Sequence, residues 1–179
     1  MARIPMLETE ETAPVLQELF NEIEKNGSQV LHLYKTLAHA PYLCRDVIRL
    51  GNKLLNKGKL PEDLRELAIL QVSHLTHATY ERVKHEEIGR RVGLSQEKID
   101  AITDWENTTL FDAKERAVLR FSQETTQAVR ASSQIFDEVL HHLGEVQVVE
   151  LTVTIGFYNM ISRILETLGV ELEPNPLAL

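Results

Sequence analysis

Apolar residues recur at intervals of three and four along most of the chain, almost no stretch alternates with a period of two, and Gly or Pro falls about every helix length. The pattern predicts an all-α protein. Thr12-Ala13-Pro14 opens a first helix carrying Val15, Leu16, Leu19, Phe20 and Ile23 on one face and stopping at Asn26-Gly27. A short helix from Val30 to Ala38 is ended by Pro41, and a third runs from Leu43 to Leu55. Pro61 opens the fourth, with Glu62 and Asp63 in the first turn, where negative charge suits the positive helix end. Beyond Gly93, Ser95 with Glu97 starts a helix lasting to about Asp104, and Trp105 to Leu110 reads as loop. Asp112-x-x-Glu115 has the form of a capping box before a helix reaching about Val129, and Ser132 or Ser133 caps the next, which ends at Gly144. The last helix, about Val146 to Leu168, is apolar on nearly all sides and suits either the centre of a bundle or a subunit seam. Residues 1–11 and 174–179 read as loose termini of a single domain covering 1–179.

One segment breaks the pattern of buried apolar stripes. From Leu60 to Gly93, the residues Glu66, His74, His77, Glu81 and His85 fall within about 100° of one helical face. On an unbroken helix Glu66 and His85 would stand roughly 28 Å apart and share no site. The run Ser73 to Thr79, SHLTHAT, is rich in side chains that compete for backbone hydrogen bonds, so a turn is expected there, folding the two halves of the stripe together.

Glu81 and His85, spaced i, i+4, suit a carboxylate that orients an imidazole and raises its basicity, which is general acid/base machinery; the bland alternative is a minor surface ion pair. His77, Glu81 and His85 at i, i+4 and i+8 also resemble a ligand row, but their outer members lie roughly 12 Å apart along a helix, so no metal site is expected. His32 and His39, near helix ends, and His141-His142, before a Gly stop, read as structural. Cys44 is the single cysteine, which excludes an intrachain disulfide or a Cys-x-x-Cys pair, and it reads as a buried inert thiol.

The 179 residues are 43% hydrophobic and 26% charged, with a formal net charge of −8 and no Lys/Arg block, so a nucleic-acid partner is not expected. The N-terminus lacks a signal-like apolar run and no stretch approaches eighteen apolar residues, so a soluble cytoplasmic protein without a membrane partner is expected. No phosphate-binding Gly-rich loop, Gly-x-Ser-x-Gly elbow or His-Glu-x-x-His run is present.

The segments LPEDLRELAIL and ATYERVKHEEIGRRVGLSQEKIDAI, with FDAKERAVLRFSQE and EVQVVELTVTIGFYNMISRILETLGVELE further on, resemble the carboxymuconolactone decarboxylase family of the alkylhydroperoxidase D-like superfamily over about residues 35 to 173. The resemblance implies an all-helical fold that assembles into homo-oligomers, often trimers or hexamers. In the superfamily's peroxidase branch the site is a Glu, eleven residues, then Cys-x-x-Cys-x-x-x-His. Counted from Glu66, the cysteine positions hold Ala78 and Glu81 and the histidine position holds His85. Without a thiolate, dithiol peroxide reduction is excluded. The decarboxylase branch carries a Tyr-Glu-Trp-x-x-His-like run, matched by Tyr80-Glu81-Arg82-Val83-Lys84-His85 except that Arg82 replaces the aromatic residue.

The resemblance and the stripe together imply a cofactor-free acid/base lyase acting on a small carboxylated lactone or oxo acid. His85 is the expected acid/base, Glu81 its orienting partner and Glu66 a relay, with His77, Tyr80 and Arg82 on the substrate. On this reading His85→Ala abolishes turnover with little loss of folding. The alternatives are a non-catalytic helical oligomer whose polar stripe is internal hydrogen bonding, and a single-cysteine peroxidase that needs Cys44 exposed beside a base.

Overall fold

The computed structural model describes residues 2–174. The described residues form helices α1 (Pro14–Lys25), α2 (His32–Leu37), α3 (Pro41–Asn56), α4 (Glu62–Leu75), α5 (Thr79–Arg91), α6 (Gln96–Ala101), α7 (Ala113–Ala128) and α8 (Ser133–Leu168), with no strand among them. Helical periodicity is therefore met throughout, and two boundaries move. Pro41 is the first residue of α3 and not merely a stop, because its missing N–H is no loss at a helix start. The segment expected as loop after α6 contains a 3-10 turn over Ile102–Asn107, since Trp105 is buried and draws the chain inward.

Within the length assigned to one domain, the chain gathers into two compact units. One holds residues 2–56 together with residues 164–174. Its core is Leu16 and Phe20 of α1, Val30, Ala38, Cys44 and Ile48, flanked by Leu7, Leu19, Ile23 and Tyr34. Residues 2–11, within the segment expected to be loose, are tied down within this unit. The Arg3 amide donates to Leu168 O (2.9 Å) and the Leu7 amide to Lys35 O (3.1 Å), and a 3-10 turn forms at Thr9–Glu11. The His32 and His39 rings meet the backbone oxygens of Glu171 and Pro5, at 2.9 and 2.8 Å. Of the expected loose C-terminal segment, residues 175–179 lie outside the described residues.

The other unit, Lys57–Arg163, is built around α4. Every residue from Leu64 to Ser73 is buried, because α5, α7 and the 3-10 turn all pack on this helix. The centre is thus α4, which carries Arg65, Glu66, Gln71 and Ser73, and not the more apolar α8. Helix α8 breaks at Gly144 (φ 73°, ψ 169°), as the sequence predicts, and beyond it leaves Val146, Val149 and Val153 exposed. By length and composition α8 is apolar enough to cross a membrane, with mean hydropathy 1.3 over eighteen residues, half of which are buried inside the protein.

The predicted turn is present. Helix α4 stops at Leu75 and α5 starts at Thr79. Ser73 Oγ and Thr76 Oγ1 each donate at 2.8 Å to carbonyls of the preceding turn, at Leu70 and Val72, and His77 takes a left-handed conformation (φ 56°) that reverses the chain. The capping box at α7 also forms, with Glu115 N donating to Asp112 Oδ1 at 2.8 Å and Asp112 N to Glu115 Oε2 at 2.9 Å.

Val129, which ends α7, is 89% exposed and left-handed (φ 68°), an unfavourable conformation for a β-branched residue. Val129→Gly should therefore stabilise the fold by about 1 kcal/mol. A melt followed by circular dichroism should show the midpoint rise by roughly 2–4 °C.

Candidate functional site

The turn at residues 76–78 places the start of α5 against α4, and three of the sequence-predicted residues converge. His85 Nδ1 lies 2.6 Å from Glu66 Oε2, and His85 Nε2 lies 3.2 Å from Glu81 Oε2. Arg65 Nε donates to the other Glu66 oxygen, Oε1, at 3.0 Å. Tyr158 of α8 sets its ring edge-on to the imidazole, with ring centroids 4.8 Å apart. The Glu66 side chain is fully buried, and those of His85 and Glu81 expose 5% and 7%.

The imidazole is therefore clamped between two carboxylates in a dry setting. Burial by itself pushes the His85 pKa down. The charge of Glu66 and its hydrogen bond, reinforced by the bond and charge of Glu81, outweigh burial and lift the pKa to about 9. At neutral pH the ring is an imidazolium with both N–H groups donating, one to each carboxylate. The acid/base expected at His85 is thus held in its acid form at neutral pH. His85→Ala, which the sequence alone suggests would spare the fold, is here expected to destabilise it, because it strands two buried carboxylates.

The expected substrate residues divide. His77, exposed in the turn, and Arg82, on the first turn of α5, line a hollow of about 150 Å³ together with Ser73, His74, Ala78 and Thr79. Tyr80 does not line it; the ring is buried, with the Lys84 ammonium 6.0 Å from its centroid. Since α5 begins at Thr79, His77 is off the helix that carries Glu81 and His85, and the i, i+4, i+8 row is broken. Among the described residues, no group of three His, Cys, Asp or Glu could hold a metal ion.

Ala78 gives α5 no side-chain cap, so the first-turn amides and the cationic Arg82 make the hollow suited to an anion. His74 is held below the usual histidine range, first by burial and then by the charges of His77 and Arg82. Cys44 is fully buried, and burial pushes its thiol up to about 12, so it offers no thiolate at neutral pH.

Sequence reasoning missed Arg65 and Tyr158. Arg65 adjoins Glu66 in sequence, yet neighbours on a helix point about 100° apart, so periodicity does not pair them. Tyr158 comes from a distant helix and has no local signal at all.

These features define a class: a helical protein with a buried imidazolium between two carboxylates, and with no thiol beside it. Residues 41–124 match the carboxymuconolactone decarboxylase family, and the chain shares the fold of alkylhydroperoxidase D-like structures. An uncharacterized protein of Bacillus subtilis (strain 168), YdfG, is 24% identical over 119 residues, covering 65% of this chain and 81% of its own. The alkylhydroperoxidase AhpD core structure of an uncharacterized peroxidase-related protein from Ralstonia eutropha JMP134 superposes with a TM-score of 0.83 at 19% identity, over 97% of this chain and 93% of that one. The debrominase Bmp8, solved as a cysteine-to-alanine variant with 2,3,4-tribromopyrrole, superposes with a TM-score of 0.79 at 20% identity, over 98% of this chain and 94% of its own.

Because the folded His85 pKa is raised above its unfolded value near 6.5, its contribution is complete below about pH 6.5 and lost as pH rises through about 9. The contribution is on the order of 3 kcal/mol. Histidine NMR should show one ring titrating near pH 9, and the melting midpoint should fall between pH 7 and 10. Glu66→Gln should return that ring towards the ordinary histidine range and destabilise the fold by roughly 3 kcal/mol. A His85 signal that titrates near 6.5 in the wild type would contradict the clamped arrangement.

Proposed function

We propose that the protein is a cofactor-free acid/base lyase that decarboxylates a small carboxylated lactone or oxo acid. The observation that carries this reading is the Glu66–His85–Glu81 chain of hydrogen-bonding groups, whose last member shares the first turn of α5 with Arg82 and Thr79 of the hollow. The substrate carboxylate and carbonyl dock in the hollow against Arg82, His77 and the open amides of α5. The bond to the carboxylate carbon breaks, CO₂ leaves, and the electron pair moves onto the substrate carbonyl as an enolate, which the cationic wall stabilises. Glu81, which does not itself line the hollow, takes a proton from the His85 imidazolium and passes it through a water in the hollow to the carbanion carbon, and solvent returns one to the set. Glu66 and Arg65 act as positioning residues behind the ring.

This assignment moves the reactive role towards Glu81. The ring of His85 has both nitrogens engaged, so it works through its neighbour. One specific observation favours the second reading, a non-catalytic bundle: ring and carboxylates alike are buried and paired within the protein. The two readings part on substrate turnover.

With carboxylated lactones and 2-oxo or 3-oxo acids as probes, CO₂ release and deuterium incorporation from D₂O should accompany substrate loss. Glu81→Gln should cut kcat about 10²–10⁴-fold with the fold retained, and Arg82→Ala should raise KM about tenfold with a smaller effect on kcat. The rate should fall as pH rises through about 9, as the set loses its transferable proton. If no probe is consumed and none binds the hollow, the lyase reading fails and the non-catalytic one stands.

We also propose that copies of this chain associate, as a trimer or hexamer, through the exposed apolar face of α8 at Val146, Val149 and Val153. Sedimentation should give a mass of three or six chains, reduced to smaller species by Val149→Glu. A monomeric wild type would refute the association.

A further inference from the structure

A second hollow, of about 120 Å³, opens beside α4 on the side of the 3-10 turn and α7, and the proposed chemistry does not use it. Its lining includes Gln71, His74, Asp104, Trp105, Glu106 and Gln123. The polar groups in its wall form a chain whose polarity is settled by one member. The Trp105 indole N–H can only donate, and it donates to Gln123 Oε1 at 3.2 Å. That oxygen also accepts from Gln71 Nε2 at 3.2 Å, so the Gln71 amide must present its N–H₂ to Gln123. Its other end, Gln71 Oε1, is left as a buried carbonyl oxygen without a hydrogen-bond partner, on a residue only 1% exposed. Flipping either amide would break the bond to the indole or the bond between the amides, so the orphan is an acceptor and calls for a donor.

An unmet buried acceptor costs about 1–3 kcal/mol, which a donating ligand would recover. The space exceeds what one water requires. Asp104 and Glu106 give the lining two carboxylates, and the Arg116 and Arg120 guanidiniums over the Trp105 ring, 5.3 and 5.7 Å from its centroid, are not among the lining residues, so the hollow suits a cation. Beside it the His74 pKa is held below the usual histidine range, first by burial, which disfavours a positive charge there.

We propose that this hollow is a binding site for a small organic cation bearing N–H donors, a primary ammonium group, which donates to Gln71 Oε1 beneath the carboxylates of Asp104 and Glu106. The site is separate from the anion-binding hollow at the start of α5, though His74 lines both. Its occupancy does not depend on the lyase reading, and its test uses no turnover.

Trp105 is the single tryptophan of the chain, so intrinsic emission reports this hollow directly. Titrating the full chain with methylammonium chloride at constant ionic strength should change that emission saturably. Tetramethylammonium, which has the charge but no N–H, and acetate should bind at least about tenfold more weakly. Gln71→Leu should weaken methylammonium at least about tenfold, and Gln71→Glu should tighten it. The comparison of methylammonium with tetramethylammonium on the wild type decides the matter even if a variant fails to fold. A response equal for the two cations, no saturable response, or a crystal grown with methylammonium that holds ordered water only at Gln71 would each overturn the proposal.

Discussion

The fully buried carboxylate of Glu66 is the constraint around which the Lys57–Arg163 unit is organised. Taking one ionised carboxylate out of water costs several kcal/mol unless charge and hydrogen bonds are returned to it. Arg65 and His85 supply both, one to each oxygen. The requirement reaches well beyond the side chains: His85 can arrive at 2.6 Å only if the chain reverses between α4 and α5, and the left-handed His77 and the hydroxyls of Ser73 and Thr76 make that reversal. Geometry and charge are thus one requirement, since the same contact that neutralises the carboxylate lifts the imidazole to about 9 and closes the hairpin.

The same logic explains why the central helix is not the most apolar one. Helix α4 is buried from Leu64 to Ser73 although it carries Arg, Glu, Gln and Ser, because neighbours satisfy most of those groups. Helix α8 is greasier and yet leaves a row of valines in solvent. Hydrophobicity ranks residues by what they lose in water, whereas burial follows from which surfaces find complements. The one clear shortfall in the centre, Gln71 Oε1, faces its cost where the wall has a hollow beside it.

Placed among its structural relatives, the chain keeps a shared frame while holding no thiol at the two positions where a dithiol would sit. Ala78 leaves the first turn of α5 uncapped, and Glu81 puts a carboxylate against the ring of His85. The chemistry open to such a set is proton transfer and charge stabilisation, with the cationic Arg82 and the imidazole of His77 lining the hollow rather than among the buried groups.

The sequence by itself determined the helices, their main caps, the turn in SHLTHAT, and that Glu66, Glu81 and His85 belong together, because each of these rests on local periodicity and on the short-range hydrogen-bonding of particular side chains. Tertiary structure alone decided that His85 has a carboxylate on either side and is charged, that Tyr80 turns away from the hollow, that Trp105 is buried in a helical turn, and that α4 is the centre. Those outcomes depend on desolvation and on partners such as Tyr158 and Arg65, whose approach is set by packing between helices. Spacing along a single helix cannot encode that, since a group's charge state is a property of everything that surrounds it.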